Sequence, residues 1–259
     1  MTATAASTAL LEARSVTKHY GSVEALRGAS FEVRPGEVVA LIGDNGAGKS
    51  TLVKCLSGAE QPDSGEILLD GHPVRLDSPT TARRLGIETV YQDLAVAPDL
   101  DPAANLFLGR ELPRGGILGW LGMLDKAEMR RRAIREFDRL GVRLQSVNVP
   151  IGALSGGQRQ SVAVARAVVW ASKVVFMDEP TAALGVLQRE RVLEVIRRVR
   201  DEGVAIVLIS HNMPEVLAVS DRVEVLFRGR RVARFTTADA TIEQLVAAMT
   251  GALSQEDAA

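Results

Sequence analysis

Glu37-Val38-Val39-Ala40-Leu41-Ile42-Gly43-Asp44-Asn45-Gly46-Ala47-Gly48-Lys49-Ser50-Thr51 is the stretch from which the rest of the chain is read. After Glu37 its next five residues are an apolar run rich in β-branched side chains, the pattern of a strand buried on both faces in a parallel sheet. A glycine-rich loop follows, and residues 51–56 have the spacing of a helix start. Gly43 to Ser50 fits G-x-x-x-x-G-K-[ST] in the strand–loop–helix context that pattern requires. Chemistry explains the pattern. Glycines let backbone N–H groups of Gly43, Asp44, Asn45, Gly46, Ala47 and Gly48 close around phosphate oxygens. The helix start aims its free N–H groups, including that of Thr51, and its positive dipole end at the same anion. Lys49 adds a point charge for the β- and γ-phosphates, and the Ser50 hydroxyl is a ligand for Mg²⁺. A nucleotide phosphate is the expected occupant.

Working outward, residues 10–20 and 23–33 alternate as antiparallel strands, and Pro35-Gly36 separates them from the phosphate-loop strand. A loop at 61–65, a short strand at 66–71, a helix opened by Ser78-Pro79 and a strand at 87–91 come next. From about residue 95 to 151 strand-like runs stop. Proline and glycine cluster between 98 and 122, and a helix follows, with Asp125 as N-cap and Met129, Ala133, Ile134, Phe137 and Leu140 at helical spacing. Its arginines (130, 131, 132, 135 and 139) read as a solvated face. The α/β rhythm then resumes: helix 156–170, strand 173–177, helix 187–202, strand 204–209, a hairpin over 222–235 whose arginines are assigned to solubility, and a last helix at 241–249. Strands alternating with helices around a phosphate loop imply a doubly wound, largely parallel α/β sheet.

Composition bounds the function. A length of 259 residues allows one domain, or one domain with an inserted subdomain, and 46% hydrophobic with 24% charged residues is ordinary for a globular chain. A formal charge of −1 gives no electrostatic footprint for nucleic acid. The single cysteine, Cys55, excludes an internal disulfide and reads as core packing; three histidines with one cysteine argue against structural zinc. No apolar run reaches the roughly 20 residues of a membrane helix. The N-terminus lacks a signal-peptide pattern, so a cytosolic chain is expected, reaching any membrane through a partner.

Two further stretches carry chemistry. Residues 174–177 are an apolar strand ending in Asp178-Glu179, and paired carboxylates there are costly unless a cation or a reaction uses them. Asp178 suits the Mg²⁺ held by Ser50, and Glu179 suits a general base for water. Gln92 and His211 each follow a strand, where a neutral amide could reach Mg²⁺ or water and an imidazole a γ-phosphate. In Leu154-Ser155-Gly156-Gly157-Gln158, Ser155 can cap the following helix while the glycines expose its N–H groups, a second anion site without a lysine. One chain with two half-sites points to docking on the nucleotide of another copy.

In this order the motifs resemble the ATP-binding subunit of ABC transporters, over nearly the whole chain. The resemblance identifies Gly43–Ser50 as Walker A, Gln92 as the Q-loop, Leu154–Gln158 (with Ser155, Gly156, Gly157 and Gln158) as the signature, Val174–Glu179 as Walker B and His211 as the switch histidine. Tyr20 is similar to the family's adenine-stacking aromatic. The fold implied is a P-loop NTPase (RecA-like) α/β core with an antiparallel β subdomain and an inserted α-helical subdomain. As one ABC ATPase domain it would comprise a flexible N-terminus at 1–9, a nucleotide-binding core at 10–94 and 160–235, a helical subdomain at 95–159, and a C-terminal helix and tail at 236–259. The function implied is ATP hydrolysis in a head-to-tail dimer on the cytoplasmic side of the inner membrane, driving a permease served indirectly by a solute-binding protein. ATP and Mg²⁺ are the implied cofactors, with Ser50, Gln92 and Asp178 around the metal. Residues 93–110 and 177–186 look like single-domain monosaccharide importers of the ribose or fructose type, and the permease groove is expected at about residues 92–110. One departure stands out: the family's Ser-Ala-Leu-Asp after Walker B is Ala182-Ala183-Leu184-Gly185 here, without the aspartate that helps bridge the two sites. The rival readings are a soluble ABC ATPase of translation or DNA repair, and a slow-turnover nucleotide-binding regulator.

Overall fold

The computed structural model describes residues 9–90, 96–144, 146–182 and 184–252. They form two compact units, one from 1–89, 171–179 and 200–259, the other from 90–170 and 180–199.

The first unit holds two sheets. Strands β1 (Leu11–Tyr20), β2 (Val23–Val33), β3 (Val38–Ile42), β4 (Ser64–Leu69), β5 (His72–Pro73), β6 (Ile87–Val90), β7 (Val174–Asp178), β8 (Ala205–Ile209), β9 (Arg222–Phe227) and β10 (Arg230–Thr236) occur in that chain order. The four-stranded sheet runs β2-β1-β4-β5, antiparallel throughout; the six-stranded sheet runs β10-β9-β3-β8-β7-β6. In it β3 pairs parallel with β8 and β9, β7 with β8, and only the β9–β10 hairpin is antiparallel among the registers described. The period of two sorts β3 between two cores. Val39 and Leu41 join Phe31, Val33, Leu52, Leu56 and Phe176 in the core that includes the inner residues of the antiparallel sheet. Ala40 and Ile42 face the other way, onto Met213, Val216, Leu245 and Ala248. Every residue of β3 and β8 is buried, which is why both read as unbroken apolar runs. Cys55 is buried in the first core, and burial pushes its thiol up to about 11.

The hairpin arginines do more than the sequence assigns them. Glu224 of β9 is fully buried, and Arg222, Arg231 and Arg234 converge on it. Arg222 also reaches Glu37 (2.8 Å) and the Glu32 carbonyl (2.8 Å), and Arg234 reaches the Glu32 carboxylate (3.1 Å). This network ties β9 and β10 to β2 and to the residue before β3. Only the turn arginines Arg228 and Arg230 are left to face solvent.

The second unit is helical, with Pro102–Leu106, Ile117–Trp120, Lys126–Leu140, Gly156–Trp170 and most of Val186–Asp201. Asp101 and Asp125 cap two of these helices through the N–H groups of Ala104 (2.7 Å) and Glu128 (2.9 Å). Met129, Ala133, Phe137 and Leu140 are buried as their spacing predicts, while Ile134 stays exposed. The arginines of that helix form a solvated face of surface pairs, Glu128 alone engaging Arg131, Arg132 and Arg135. The short helices at 102–106 and 117–120, and Met213–Val219 in the first unit, carry too few residues for their periodicity to be read in the sequence.

Candidate nucleotide site

The phosphate loop leaves β3 at Gly43 and enters the helix Lys49–Leu56. Gly48 is the N-cap in a left-handed conformation (φ 103°), and a Cβ there would stand 2.7 Å from the Ala25 carbonyl oxygen. Only glycine passes β2 in this way. The helix has no side-chain cap and no acid in its first turn, so its N–H groups and dipole are uncompensated by the chain itself. The Lys49 ammonium donates to the carbonyls of Gly43 (2.7 Å) and Asp44 (3.1 Å). Burial holds it below the ordinary lysine value, although Glu179, Asp178 and Asp44 pull the other way. Within the loop the Asn45 N–H donates to the Asp44 carboxylate (2.7 Å) and the Ala47 N–H to the Asp44 carbonyl (3.1 Å), and the half-buried cation beside the uncapped helix start makes an anion site.

Asp178 ends β7 and Glu179 follows it. Burial raises the Asp178 carboxyl above its ordinary range, Glu179 adds to this, and Lys49 opposes it. Glu179 takes a positive φ of 50°, rare for a residue with a side chain and a recurrent feature of functional sites. Its N–H donates to the Ile209 carbonyl (2.9 Å), which locks it to the end of β8. One Glu179 oxygen accepts from the His211 N–H (3.1 Å) and lies 2.7 Å from His211 Nδ1. The rest of the imidazole is exposed, so His211 is held at one nitrogen and open at the other. Oxygen donors only, the Ser50 hydroxyl and the Asp178 carboxylate, suit a hard divalent cation such as Mg²⁺, and the raised Asp178 value marks a carboxylate whose charge a cation would relieve.

Tyr20 ends β1 with its ring partly exposed and Lys18 Nζ 5.8 Å from the ring centroid. Sequence reasoning missed what fixes it. Asp63 accepts from the His19 N–H (2.6 Å) and from Lys18 (3.1 Å), clamping the residues just before Tyr20. Those bonds hold the Asp63 carboxyl down at about 2. A loop acid 43 residues from Tyr20 carries no periodic signal. Its only sign is the contrast of Asp63 with the basic Lys18-His19 pair.

The structure therefore brings Gly43–Thr51, Asp178, Glu179 and His211 together within the first unit. Ser155, Gly156, Gly157 and Gln158 lie in the second. There Ser155 Oγ accepts from the Gln158 N–H (3.3 Å) and Gln158 Oε1 from the Ser155 N–H (3.2 Å), a reciprocal cap that starts the Gly156–Trp170 helix. A cavity of about 190 Å³ opens beside it, lined by Ser155, Gly157, Gln158, Arg143, Gln188 and Arg191 among others. Gln92 lies outside the described residues.

The ABC transporter family model matches residues 26–182, which include the phosphate loop, the capped serine and Asp178-Glu179. The chain belongs to the ABC transporter family. It is 53% identical over 245 residues to the fructose import ATP-binding protein FrcA of Rhizobium meliloti, covering 94% of each chain. It is 45% identical to the xylose/arabinose import ATP-binding protein XylG of Sulfolobus acidocaldarius, covering 93% of this chain and 94% of that one. Its structure is similar to the dimeric post-hydrolysis state of the ATP-binding cassette MJ0796 bound to ADP and Pi, with a TM-score of 0.73 at 25% identity over 88% of this chain and 98% of that one. The fold is that of an ABC cassette, α/β with an antiparallel β sheet beside the mixed one. No described helix is long and apolar enough to cross a membrane.

Proposed function

We propose that this ABC subunit hydrolyses ATP to energise import of a monosaccharide, working as a head-to-tail dimer on the cytoplasmic face of a membrane permease. The observation that carries the hydrolytic part is the 2.7 Å Glu179–His211 contact beside Asp178 and Lys49. A fixed carboxylate there can take a proton from water, and the open imidazole nitrogen can meet the γ-phosphate. Lys49 exchanges its loop carbonyls for β- and γ-phosphate oxygens, and Tyr20 stacks on adenine. Ser50 and Asp178, with Gln92, would hold Mg²⁺, which when bound offsets the negative charge of the phosphates. Ser155 and the N–H groups of Gly156 and Gly157 would face the ATP of the other copy, completing two sites per symmetric pair. The similarity to a dimeric cassette bound to ADP and Pi supports pairing of two copies, and the fructose and xylose/arabinose importers named above support the sugar class. Within the helical unit a cavity of about 450 Å³ lined by Leu100, Ala104, Leu108, Leu124, Met129 and Arg130, among others, suits a cytoplasmic segment of the permease.

Glu179→Gln is the test. It keeps an oxygen for His211 but cannot accept the water proton, so hydrolysis should fall about 10²–10⁴-fold while ATP stays bound and the dimer accumulates in light scattering. Monomers in ATP and Mg²⁺, or undiminished hydrolysis, would contradict the reading. ATP hydrolysis unaffected by the cognate permease and sugar-binding protein would contradict the transport half alone.

A further inference from the structure

The stretch Leu112-Pro113-Arg114-Gly115-Gly116-Ile117-Leu118-Gly119-Trp120-Leu121-Gly122-Met123-Leu124 has one charge and no carboxylate. It is a built excursion. The Arg114 N–H donates to the Met123 carbonyl (2.8 Å), the Asp125 N–H to the Leu112 carbonyl (2.7 Å), and Pro113 bridges to Leu124. At the tip the Leu121 and Met123 N–H groups donate to the Ile117 and Leu118 carbonyls, each at 3.0 Å. Residue 119 must be glycine, since a Cβ there would lie 1.8 Å from the Arg114 carbonyl oxygen. With its backbone bonded internally, the tip turns its apolar side chains outward: Trp120 is 87% exposed, Ile117 78% and Leu121 63%. Contiguous apolar display of this kind marks a surface that something covers.

We propose that this tip is an interfacial anchor that inserts Ile117, Trp120 and Leu121 into the headgroup boundary of an anionic lipid bilayer. Charge favours lipid. From Arg110 to Arg135 seven cations stand against three carboxylates; Arg114 precedes the apolar segment, and Asp125 and Lys126 follow it. Arg131, Arg132 and Arg135 share Glu128, and Arg130 pairs with Asp101 (3.2 Å), so Arg114 and Lys126 are the cations set nearest the apolar tip. An apolar wedge in a basic collar is the composition of segments that lie in the plane of an anionic membrane, with tryptophan at headgroup depth. Chemistry favours lipid too. The N–H groups of Gly119, Trp120, Leu121, Gly122 and Met123 are already bonded to carbonyls within the tip, which suits a fluid apolar medium better than a partner read by hydrogen bonds. Of the tip, only Leu124 lines the cavity assigned to the permease. The proposal rests on the transport reading for its setting alone, and it gives the chain a membrane contact of its own where the sequence assigns contact to a partner.

The test uses the full chain and vesicles of phosphatidylcholine with or without phosphatidylglycerol. The chain should co-sediment with the anionic vesicles, and the W120S/L121S double variant should lose about tenfold or more of that partition. In a Trp170→Phe background Trp120 is the sole tryptophan, and its emission should shift to the blue and be quenched by brominated acyl chains. Co-sedimentation of W120S/L121S against the unaltered chain stands as the readout if Trp170→Phe misfolds. No binding to anionic vesicles, binding indifferent to W120S/L121S, or Trp120 shielded only when permease is added and unquenched by bromolipid, would overturn the proposal. ATP hydrolysis by W120S/L121S should be unchanged, so loss of vesicle binding and loss of the nucleotide reading are separate results.

Discussion

Replacing Arg222 with Met removes the cation that serves two carboxylates at once. Its guanidinium is nearly buried, bonds Glu37 at 2.8 Å and Glu32 through its carbonyl, and contacts Glu224, whose side chain has no exposure. Met keeps the stem volume but leaves Glu224 to Arg234 (2.9 Å) and to a long contact with Arg231 (3.4 Å). Breaking one partner out of a buried network costs about 3–5 kcal/mol, and retention of two arginines by Glu224 places the variant toward the lower bound. Burial already raises the Glu224 carboxyl above its ordinary value against the pull of Arg234, Arg231 and Arg222. The folded protein thus binds this proton more tightly than the unfolded chain. Its contribution to stability is full at acid pH and is lost as pH rises through the folded value. Without Arg222 the folded value climbs further, so the deficit of Arg222→Met should be largest near neutrality and shrink toward pH 5. Urea unfolding at pH 7.5 and pH 5, at equal m-value, measures both. Replacing Arg222 and Glu224 together with Met and Leu should recover part of the loss at pH 7.5. A single-variant deficit under about 1 kcal/mol, or one independent of pH, would refute the claim that this network is electrostatically coupled to β9.

Gly48→Ala should abolish nucleotide binding by calorimetry and lower stability by about 1–3 kcal/mol, because a left-handed residue with a Cβ against the Ala25 carbonyl must move the loop. Cys55 should resist a thiol reagent at pH 8 in the native protein and react fully in urea, since its thiol is buried and titrates at about 11. Asp63→Asn should raise the ATP KM several-fold with kcat unchanged, because it loosens the Lys18-His19 segment that sets Tyr20 rather than the hydrolytic groups. Gly185→Asp should fold with less than about 1 kcal/mol change in urea unfolding, since only the end of the Gln188 side chain opposes a Cβ there.

What the sequence makes legible is what is local. A strand, a glycine loop and a helix start are encoded by neighbours, so Gly43 to Thr51 and the Ser155 cap stand where their spacing puts them. The same holds for apolar runs, and β3, β7 and β8 need no tertiary knowledge to be found. What it hides is pairing at a distance. Glu179 and His211 are 32 residues apart and carry no mutual signal until β7 and β8 lie side by side. Glu224 occupies an ordinary alternating position in β9, and its three arginines are visible only once β10 folds back. The apolar tip reads as a proline- and glycine-rich loop because its order comes from cross-limb hydrogen bonds rather than from periodicity.

The glycines after and within the signature show how the two kinds of information combine. By sequence, Gly157 belongs to an anion-binding motif and Gly185 is a departure from the family's aspartate, yet both lie against Gln188. A Cβ at 157 would stand 2.4 Å from Gln188 Cγ, which moves only with a change of χ1, and 2.9 Å from its Cβ, which moves only with the backbone. Packing inside the helical unit therefore demands glycine at 157 whatever ligand its N–H meets. At 185 a Cβ would meet Gln188 Oε1 at 2.6 Å, with Cδ at 3.7 Å, the free end of a flexible side chain. Rotating that amide clears the space at a rotamer cost of order 1 kcal/mol. The fold thus forces the first glycine and permits an alternative at the second. Packing therefore does not exclude a Cβ at 185, and under the proposed pairing Gly185→Asp would report on communication between the two sites rather than on stability.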